Sequence, residues 1–376
     1  MKLLIGADLV PTTSNAELFA GGDAKALVGR ELLDILRSAD YRIFNLETPL
    51  TDVLSPIEKC GPALAAPTKA INGYKALGVD CVTIANNHIM DQGENGFLST
   101  LKTMDESEIS YFGGGLNLEE AQKPFVIELE GKKIGFYACA EHEFSIAEEA
   151  KMGANPFDPL ESLDHISELK PLCDYVIVLY HGGKEHYRYP SPNLQKVCRK
   201  MVQKGANLVV CQHSHCVGCE EKYQDGTIVY GQGNFLFDHS ESEFWKTSLL
   251  ISIEIESGKI DYIPLSKKGN GVRLADENEK KIILAGFESR SESIKSNEFI
   301  KKEYEKFAFQ MRNSYLIKLD SMSIVFKALN KLCRHKLKYK VSKKRKLAIR
   351  NYVECEAHRE LFLYGLMGDR GESECE

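Results

Sequence analysis

Short apolar runs alternate with segments of helical periodicity along the first two thirds of the chain. Apolar positions spaced by three and four predict helices over 24–37, 66–77, 93–107 and 193–204, and Gly205 follows the last of these as a C-cap. Strands that alternate with helices indicate an α/β sheet core. The apolar runs predict strands over 2–6, 41–45, 81–85, 124–129, 133–138, 175–180, 208–211, 227–230 and 247–254.

The texture of the sequence changes after about residue 270. Ser, Glu, Lys and Asn dominate residues 276–303, and helical patterns follow. We therefore predict two parts, an α/β domain over 1–268 and a helical, basic C-terminal extension over 269–376.

The segment 327–350 carries eleven basic residues and no acidic one. A solvated helix face is the default interpretation. Its leucines could also form an apolar side that docks on an anionic membrane surface. Binding of a polyanionic polymer or of nucleic acid is the weakest of the three interpretations.

Composition narrows the class of protein without naming a partner. The chain has 376 residues, 43% hydrophobic and 27% charged, with a net charge of −6, which is typical of a soluble globular protein. Its eleven cysteines are odd in number and scattered, which favours a reducing compartment. No signal peptide or long apolar span is evident. We expect a cytoplasmic protein, with 327–350 as its candidate contact with the inner membrane face.

Polar residues follow five of the predicted strands, where ligands collect in an open α/β sheet. Two histidines at i and i+2 of an extended segment point the same way, so His213 and His215 are expected to share a site. Carboxylate, amide and imidazole groups together suit Mn²⁺, Fe²⁺ or Zn²⁺. The strand-end residues are Asp8, then Glu47, then Asn87 with His88 and Asp91, then His181 with Glu185, and last His213 and His215.

Each of these residues also has an ordinary interpretation when taken alone. Asp8 could sit in a turn, Glu47 could be solvated, Asn87 could cap a helix, and His181 could bond to backbone. Cys216 and Cys219 form a Cys-x-x-Cys pair that could bind zinc, but no second pair follows. The order of all five clusters favours a site for one or two divalent ions.

The motifs resemble those of the capsule synthesis protein CapA family, which belongs to the calcineurin-like metallophosphoesterase superfamily. The resemblance spans about residues 1–265. Its motifs are Gly6-Ala7-Asp8, Asn45-Leu46-Glu47-Thr48-Pro49-Leu50, Ala85-Asn86-Asn87-His88 with Asp91 and Gly93, His181-Gly182-Gly183 with Glu185, Gln212-His213-Ser214-His215, and the stretch 230–238 around Gly233-Asn234-Phe235.

The resemblance implies a four-layer α/β sandwich, with two mixed sheets face to face and helices outside. It implies that Asp8 and His215 bind one metal, that Asn87, His181 and His213 bind a second, and that Glu47 bridges them. His88, grouped with Asp91, would be the general acid. Glu185 would either support a metal ligand or contact substrate, and Asn234 would contact substrate. Arg188 follows in the same segment, which could be a surface loop or line a substrate pocket, where the Arg188 fork would suit phosphate or carboxylate.

Two positions depart from the wider superfamily. Val10 stands where a metal-binding histidine is usual, and Glu47 stands where aspartate is usual. The first metal position should therefore be poorer in protein ligands, which puts a two-ion mechanism in doubt.

The leading expectation is hydrolysis of a phosphoester by a metal-bound hydroxide, on an anionic, polymer-related substrate in capsule or cell-surface polymer biosynthesis. One alternative is cleavage of γ-glutamyl amide bonds in poly-γ-glutamate. Another is a non-catalytic accessory subunit that assembles with polymer biosynthesis proteins.

Overall fold

Two mixed β-sheets form the centre of the molecule in this computed structural model. It describes residues 1–237, 242–319, 329, 331–333, 342–354 and 358. The strands are β1 (Lys2–Val10), β2 (Tyr41–Asn45), β3 (Cys81–Thr83), β4 (Ser110–Phe112), β5 (Gly114–Gly115), β6 (Phe125–Leu129), β7 (Lys132–Ala140), β8 (Gly153–Ala154), β9 (Tyr175–His181), β10 (Leu208–Gln212), β11 (Val217–Tyr223), β12 (Gly226–Gln232), β13 (Leu236–Phe237), β14 (Thr247–Glu254), β15 (Lys259–Lys268) and β16 (Gly271–Leu274).

The described residues also form α-helices and short 3-10 turns. Short 3-10 turns lie at Thr68–Ala70, Lys170–Leu172 and Glu243–Trp245. The α-helices are α1 (Ala16–Gly21), α2 (Ala24–Arg37), α3 (Ile71–Leu77), α4 (Gly93–Glu106), α5 (Leu118–Ala121), α6 (Ser162–Leu169), α7 (Pro192–Gln203), α8 (Glu277–Ser293), α9 (Asn297–Leu319) and α10 (Lys343–Glu354).

The first sheet has the strand order β16-β15-β14-β1-β2-β3-β4, and β13 pairs with the end of β1. The second sheet has the order β11-β12-β10-β9-β7-β6. Strands β1 to β4 are parallel to one another, as are β7, β9, β10 and β12, while the outer pairs are antiparallel. The carboxyl ends of each parallel set therefore lie at one edge of their sheet.

Three apolar cores separate four layers. Leu3 and Ile5 of β1 meet Ile177 of β9 and Leu208 of β10 in the core between the sheets. A second core joins the first sheet to α1–α4, and a third joins the second sheet to α6 and α7. Burial of these apolar side chains stabilises the fold by about 25 cal/mol per Å² of apolar surface removed from water. The expected four-layer sandwich of two mixed sheets is confirmed.

Position 6 has room only for glycine, because the ring of Phe44 packs directly against it. A Cβ atom at Gly6 would lie 2.1 Å from the ring of Phe44 on the neighbouring strand. That ring packs edge-on against Phe235, with centroids 4.7 Å apart. The glycine thus lets the two sequence motifs around Phe44 and Phe235 pack on β1.

The chain divides into a compact unit over 1–301 and a second unit from 302 onward. The predicted boundary at 268 falls between β15 and β16. Beyond it, α8 begins with a capping box of Asp276 and Glu279 and buries Ile283 and Phe287 in the core between the sheets.

Much of the basic segment 327–350 lies outside the described residues. The expected membrane contact through this segment therefore also falls outside them. Within that segment, Leu332 and Leu347 are exposed. Among the residues that the structure describes, no helix has the length and apolarity needed to cross a bilayer.

Candidate metal centre

The candidate ligands meet because the parallel strands of both sheets end near one another. Asp8 lies opposite Asn45 in the β1–β2 register, and Gln212 lies opposite His181 in the β10–β9 register. Asp8 is inside β1 rather than after it. The predicted strand ended at residue 6, but β1 continues because its last residues pair with β13, far away in the sequence.

Glu47, His213 and His215 form a buried cluster whose ligand atoms all lie within 4.8 Å of one another. Neither carboxylate oxygen of Glu47 accepts a hydrogen bond from any described residue, although both are buried. A buried carboxylate without such partners is strongly unfavourable unless a cation compensates it. One carboxylate with two imidazoles is a donor set that suits a divalent first-row metal ion. The residues present therefore fit the metal that the resemblance implies.

Three potential ligand atoms lie close to Nε2 of His181, beside this cluster. The Nε2 atom of His181 lies 3.0 Å from Oδ1 of Asn87, 3.1 Å from Nδ1 of His213 and 3.3 Å from Oε1 of Glu47. Metal–ligand bonds of about 2.1 Å place neighbouring ligand atoms about 3.0–3.4 Å apart. The spacing matches that of ligands around a single ion.

The other side of the cluster holds fewer ligands. Nδ1 of His215 lies 3.4 Å from Oδ2 of Asp8 and 2.8 Å from Oδ1 of Asn234. Asn45 donates to Oδ1 of Asp8 at 2.8 Å, so that carboxylate is already partly satisfied. Val10 is buried and pairs with Phe237, and it offers no ligand atom.

The histidines of the site differ in their pKa values and therefore in their protonation. Burial lowers the pKa of His181 to about 3 and that of His213 well below its usual value, so both rings are neutral and able to bind a metal. Burial also lowers the pKa of His215, but Glu47 and Asp8 outweigh it and raise that pKa to about 9. Burial, followed by repulsion from Asp8, raises the pKa of Glu47 to about 8. Burial disfavours the charged form of Asp8, yet hydrogen bonding and attraction from His215 lower its pKa overall.

The sequence argument that joined His213 to His215 needs a correction. The strand β10 ends at Gln212, and both histidines have positive φ, 79° and 52°. Their rings, with centroids 5.9 Å apart, come together through a turn and not through strand alternation. Such backbone is uncommon for residues other than glycine and is found where a site fixes it.

His88 and Asp91 form a pair next to the metal ligands. Nδ1 of His88 lies 2.6 Å from Oδ2 of Asp91. A carboxylate can only accept, so Nδ1 carries the proton, and Nε2 is left for the site. The main-chain nitrogen of His88 donates to Oδ1 of Asn86 at 3.1 Å, which fixes the turn that holds the pair.

The three predicted substrate residues have different surroundings. Asn234 is next to His215, and its Nδ2 donates no hydrogen bond to a described residue. Burial disfavours the charged form of Glu185, but attraction from nearby positive groups, among them Lys184 and His215, lowers its pKa overall. Arg188 donates to the carbonyl of Val217 at 2.9 Å, and its guanidinium lies over the ring of Phe244.

Several residues around the site escaped the sequence analysis. Glu143, after β7, accepts a hydrogen bond from Nδ2 of Asn87 at 3.0 Å and so turns Oδ1 toward His181. Trp245 stacks on His215 with centroids 4.6 Å apart. Lys59 contacts both His88 and Asp91. Within the described residues, no cysteine joins a candidate metal cluster.

The fold and this cluster define an α/β protein with a candidate metal centre between two sheets. The sequence profile of the bacterial capsule synthesis protein PGA_cap matches residues 8–239. The chain belongs to this family, and the resemblance to the CapA family is confirmed.

Curated relatives agree with that assignment. The capsule biosynthesis protein CapA of Bacillus anthracis is 28% identical over 251 residues, which cover 64% of this chain and 61% of the relative. The PGA biosynthesis protein CapA of Bacillus subtilis is 28% identical over 240 residues, 61% of this chain and 62% of the relative. The chain thus spans about three fifths of the length of these relatives.

Solved structures with a similar fold were also found. One is a hypothetical protein from Thermus thermophilus, with a TM-score of 0.46 and 16% identity, covering 71% of this chain and 100% of the other. Another is a novel phosphatase from Mycoplasma pneumoniae, with a TM-score of 0.43 and 15% identity, covering 75% and 96%.

Proposed function

We propose that this protein is a metal-dependent hydrolase of phosphoesters that acts in capsule or cell-surface polymer biosynthesis. The observation that carries the proposal is Glu47, a buried carboxylate that accepts no hydrogen bond from any described residue and lies within 4.8 Å of the ligand atoms of His213 and His215. Asn87 and His181 extend the ligand set, and Asp8 completes it on the side of His215. Mn²⁺, Fe²⁺ and Zn²⁺ all suit these ligands.

A bound divalent ion supplies Lewis-acid polarisation of a phosphoryl oxygen and lowers the pKa of a bound water. The protein's own contribution is proton transfer at the leaving group. Hydrolysis breaks the P–O bond to the leaving oxygen, which then needs a proton. His88 supplies it from Nε2 as an imidazolium, whose Nδ1–H donates to Asp91 at 2.6 Å, and the ring is left neutral with its proton on Nδ1. The attacking water releases the matching proton, which returns to Nε2 through solvent. General acid catalysis of this kind is worth about 10²–10⁴-fold in rate.

The family places the substrate in polymer biosynthesis, and the site favours an anionic one. A cation held by the site would receive a phosphate group. The Arg188 guanidinium, which lies over the ring of Phe244 and 3.4 Å from Oε1 of Glu243, would meet a second anionic group. We propose a phosphoester of a cell-surface polymer or of its precursor, handled together with polymer biosynthesis proteins. Contact with a membrane through 327–350 belongs to the same proposal.

A second candidate is hydrolysis of γ-glutamyl amide bonds. The Bacillus subtilis relative is named a PGA biosynthesis protein, which supports a poly-γ-glutamate substrate. A Lewis acid at this site would polarise a carbonyl as well as a phosphoryl oxygen. Proton donation from His88 would serve an amine leaving group in the same way.

The test is hydrolysis of 4-nitrophenyl and alkyl phosphates by wild type and His88→Ala with added Mn²⁺. We expect wild type to cleave both, and His88→Ala to lose about 10²–10⁴-fold on the alkyl ester. His165→Ala is the matched control, because this histidine of α6 bonds to the hydroxyl of Tyr137, away from the centre.

Other outcomes separate the candidates. An unchanged rate in His88→Ala would remove His88 from the mechanism. Shortening of poly-γ-glutamate without phosphate hydrolysis would establish the second candidate. A protein that cleaves neither substrate, yet co-purifies with polymer biosynthesis proteins, would be an accessory subunit.

A further inference from the structure

We propose that Lys59 is a positioning residue that holds the His88–Asp91 pair in its working geometry. The inference rests on the proposed function, in which His88 donates a proton to the leaving oxygen. Lys59 lies in the irregular segment between β2 and α3, outside every motif of the sequence. Its Nζ lies 2.5 Å from Oδ1 of Asp91, 3.3 Å from the carbonyl oxygen of Asn87 and 3.4 Å from Nδ1 of His88.

The segment that carries Lys59 is fastened to the turn that carries His88. The amide of Ile57 donates to the carbonyl of Asp91 at 3.0 Å, and Ser55 donates to the side chain of Gln92 at 2.8 Å. Gln92 in turn donates to the carbonyl of Leu64 at 3.0 Å. These bonds fix where the lysine reaches the pair.

The lysine is covered, so it acts through Asp91 rather than on substrate. The side chain of Lys59 is 2% exposed and that of Asp91 is not exposed. A buried ion pair is kept only with good geometry and further hydrogen bonds, and this pair has them. The ring of Phe144 lies 5.9 Å from the ammonium and closes the other side.

The donors on Asp91 determine which way its carboxylate faces. Lys59 occupies Oδ1, while the amide of Leu64, at 2.7 Å, and Nδ1 of His88 occupy Oδ2. Loss of the ammonium would leave Oδ1 with no charged partner and free the carboxylate to rotate. His88 would then lose the fixed acceptor that keeps the proton of its neutral ring on Nδ1, and Nε2 would no longer be held ready to take up a proton and deliver it to the leaving group.

Dependence on the leaving group tests this role. We expect Lys59→Met to lose about 10²-fold on an alkyl phosphate, whose leaving oxygen needs a proton, and at most about threefold on 4-nitrophenyl phosphate, whose leaving group does not. Lys59→Arg should restore much of the alkyl rate, since it keeps the charge. Lys170→Met is the control, because Lys170 bonds to Asn207 near the opposite end of β10.

A second readout does not use activity. With ¹⁵N-labelled histidine in the zinc-loaded protein, at a pH where the His88 ring is neutral, that ring should show one tautomer, with the proton on Nδ1 and Nε2 free to take up the catalytic proton. Its resonances are assigned by their loss in His88→Gln. Lys59→Met should give a mixture of tautomers, and Lys59→Arg should give one again. If Lys59→Met fails to fold, Lys59→Gln removes the charge with less apolar bulk and carries the same test.

Equal losses on both phosphates, together with an unchanged tautomer, would overturn the proposal and leave Lys59 as a stabiliser of the fold. If wild type cleaves neither phosphate, the proposed function fails. The tautomer comparison then still decides whether Lys59 fixes the ring of His88.

Discussion

Oε1 of Glu47 lies 3.3 Å from Nε2 of His181, and the carboxylate accepts no hydrogen bond from any described residue. The pKa of His181 is about 3, so its ring carries no charge near neutral pH and cannot compensate the carboxylate. Burial raises the pKa of Glu47 to about 8, which expresses the cost of a charged Glu47 carboxylate beside the neutral ring of His181. A cation bound between them would remove that cost.

Metal removal should therefore destabilise the protein. Because a ligand at 100 times its Kd stabilises the folded state by about 2.7 kcal/mol, chelation should lower Tm by about 3–5 °C. Thermal unfolding with and without a chelator measures the shift. In Glu47→Gln, which lacks the charge, chelation should change Tm by less than about 2 °C. An equal shift in both proteins would place the stabilising ion elsewhere.

The chelated protein should lose stability as pH rises from 6.5 to 9. The pKa of His215 is raised to about 9 in the folded state, so its contribution is fully present below 6.5 and is lost through 9. The pKa of Glu47 is raised from 4.5 to about 8, so Glu47 also lowers stability as pH rises, from about 4.5 until it ionises in the folded state at about 8. The low pKa of His181 makes stability rise with pH, but only below pH 6.5, outside this range.

Thermal unfolding of chelated protein at pH 6.5 and pH 9 measures this dependence. We expect Tm to fall by at least about 3 °C in wild type and by less in Glu47→Gln. A rise of Tm with pH would contradict the assignment of both groups.

Glu143 should matter for metal affinity although it is not a ligand. It accepts from Nδ2 of Asn87 and so points Oδ1 toward His181. Partners that orient ligands typically contribute about 10–100-fold in metal affinity. Glu143→Gln, whose amide can turn its NH₂ toward Asn87, should bind Mn²⁺ about tenfold more weakly by calorimetry. Glu149→Gln, at an exposed residue of the same loop, is the control. Equal affinities would make Glu143 an ordinary surface residue.

Much of the fold could be predicted from the pattern of apolar residues. The bounds of α2, β2 and β14 agree with the sequence prediction, because each has a strong local pattern. Even so, α2 is kinked at Gly29, where φ is 74°. The short strands β5, β8 and β13 were not predicted, since pairing with distant residues defines them.

Site residues that directly follow a strand could be predicted from the sequence. Site residues in irregular segments could not. Glu143 follows β7 and could have been found by the same argument as His181. Lys59 could not, because its contacts cross about thirty residues of irregular chain and no periodicity marks it. Trp245 is the sole tryptophan in the sequence, and this could have drawn attention to it as a site residue.

The central claim is a metal ion held by Glu47, His213 and His215, and metal content tests it most directly. Elemental analysis of protein purified without chelators, beside Glu47→Gln and the remote control His165→Ala, is the measurement. We predict at least one equivalent of Mn, Fe or Zn in wild type and in His165→Ala, and a clear loss in Glu47→Gln. Wild type without metal after reconstitution, or equal content in Glu47→Gln, would contradict the account.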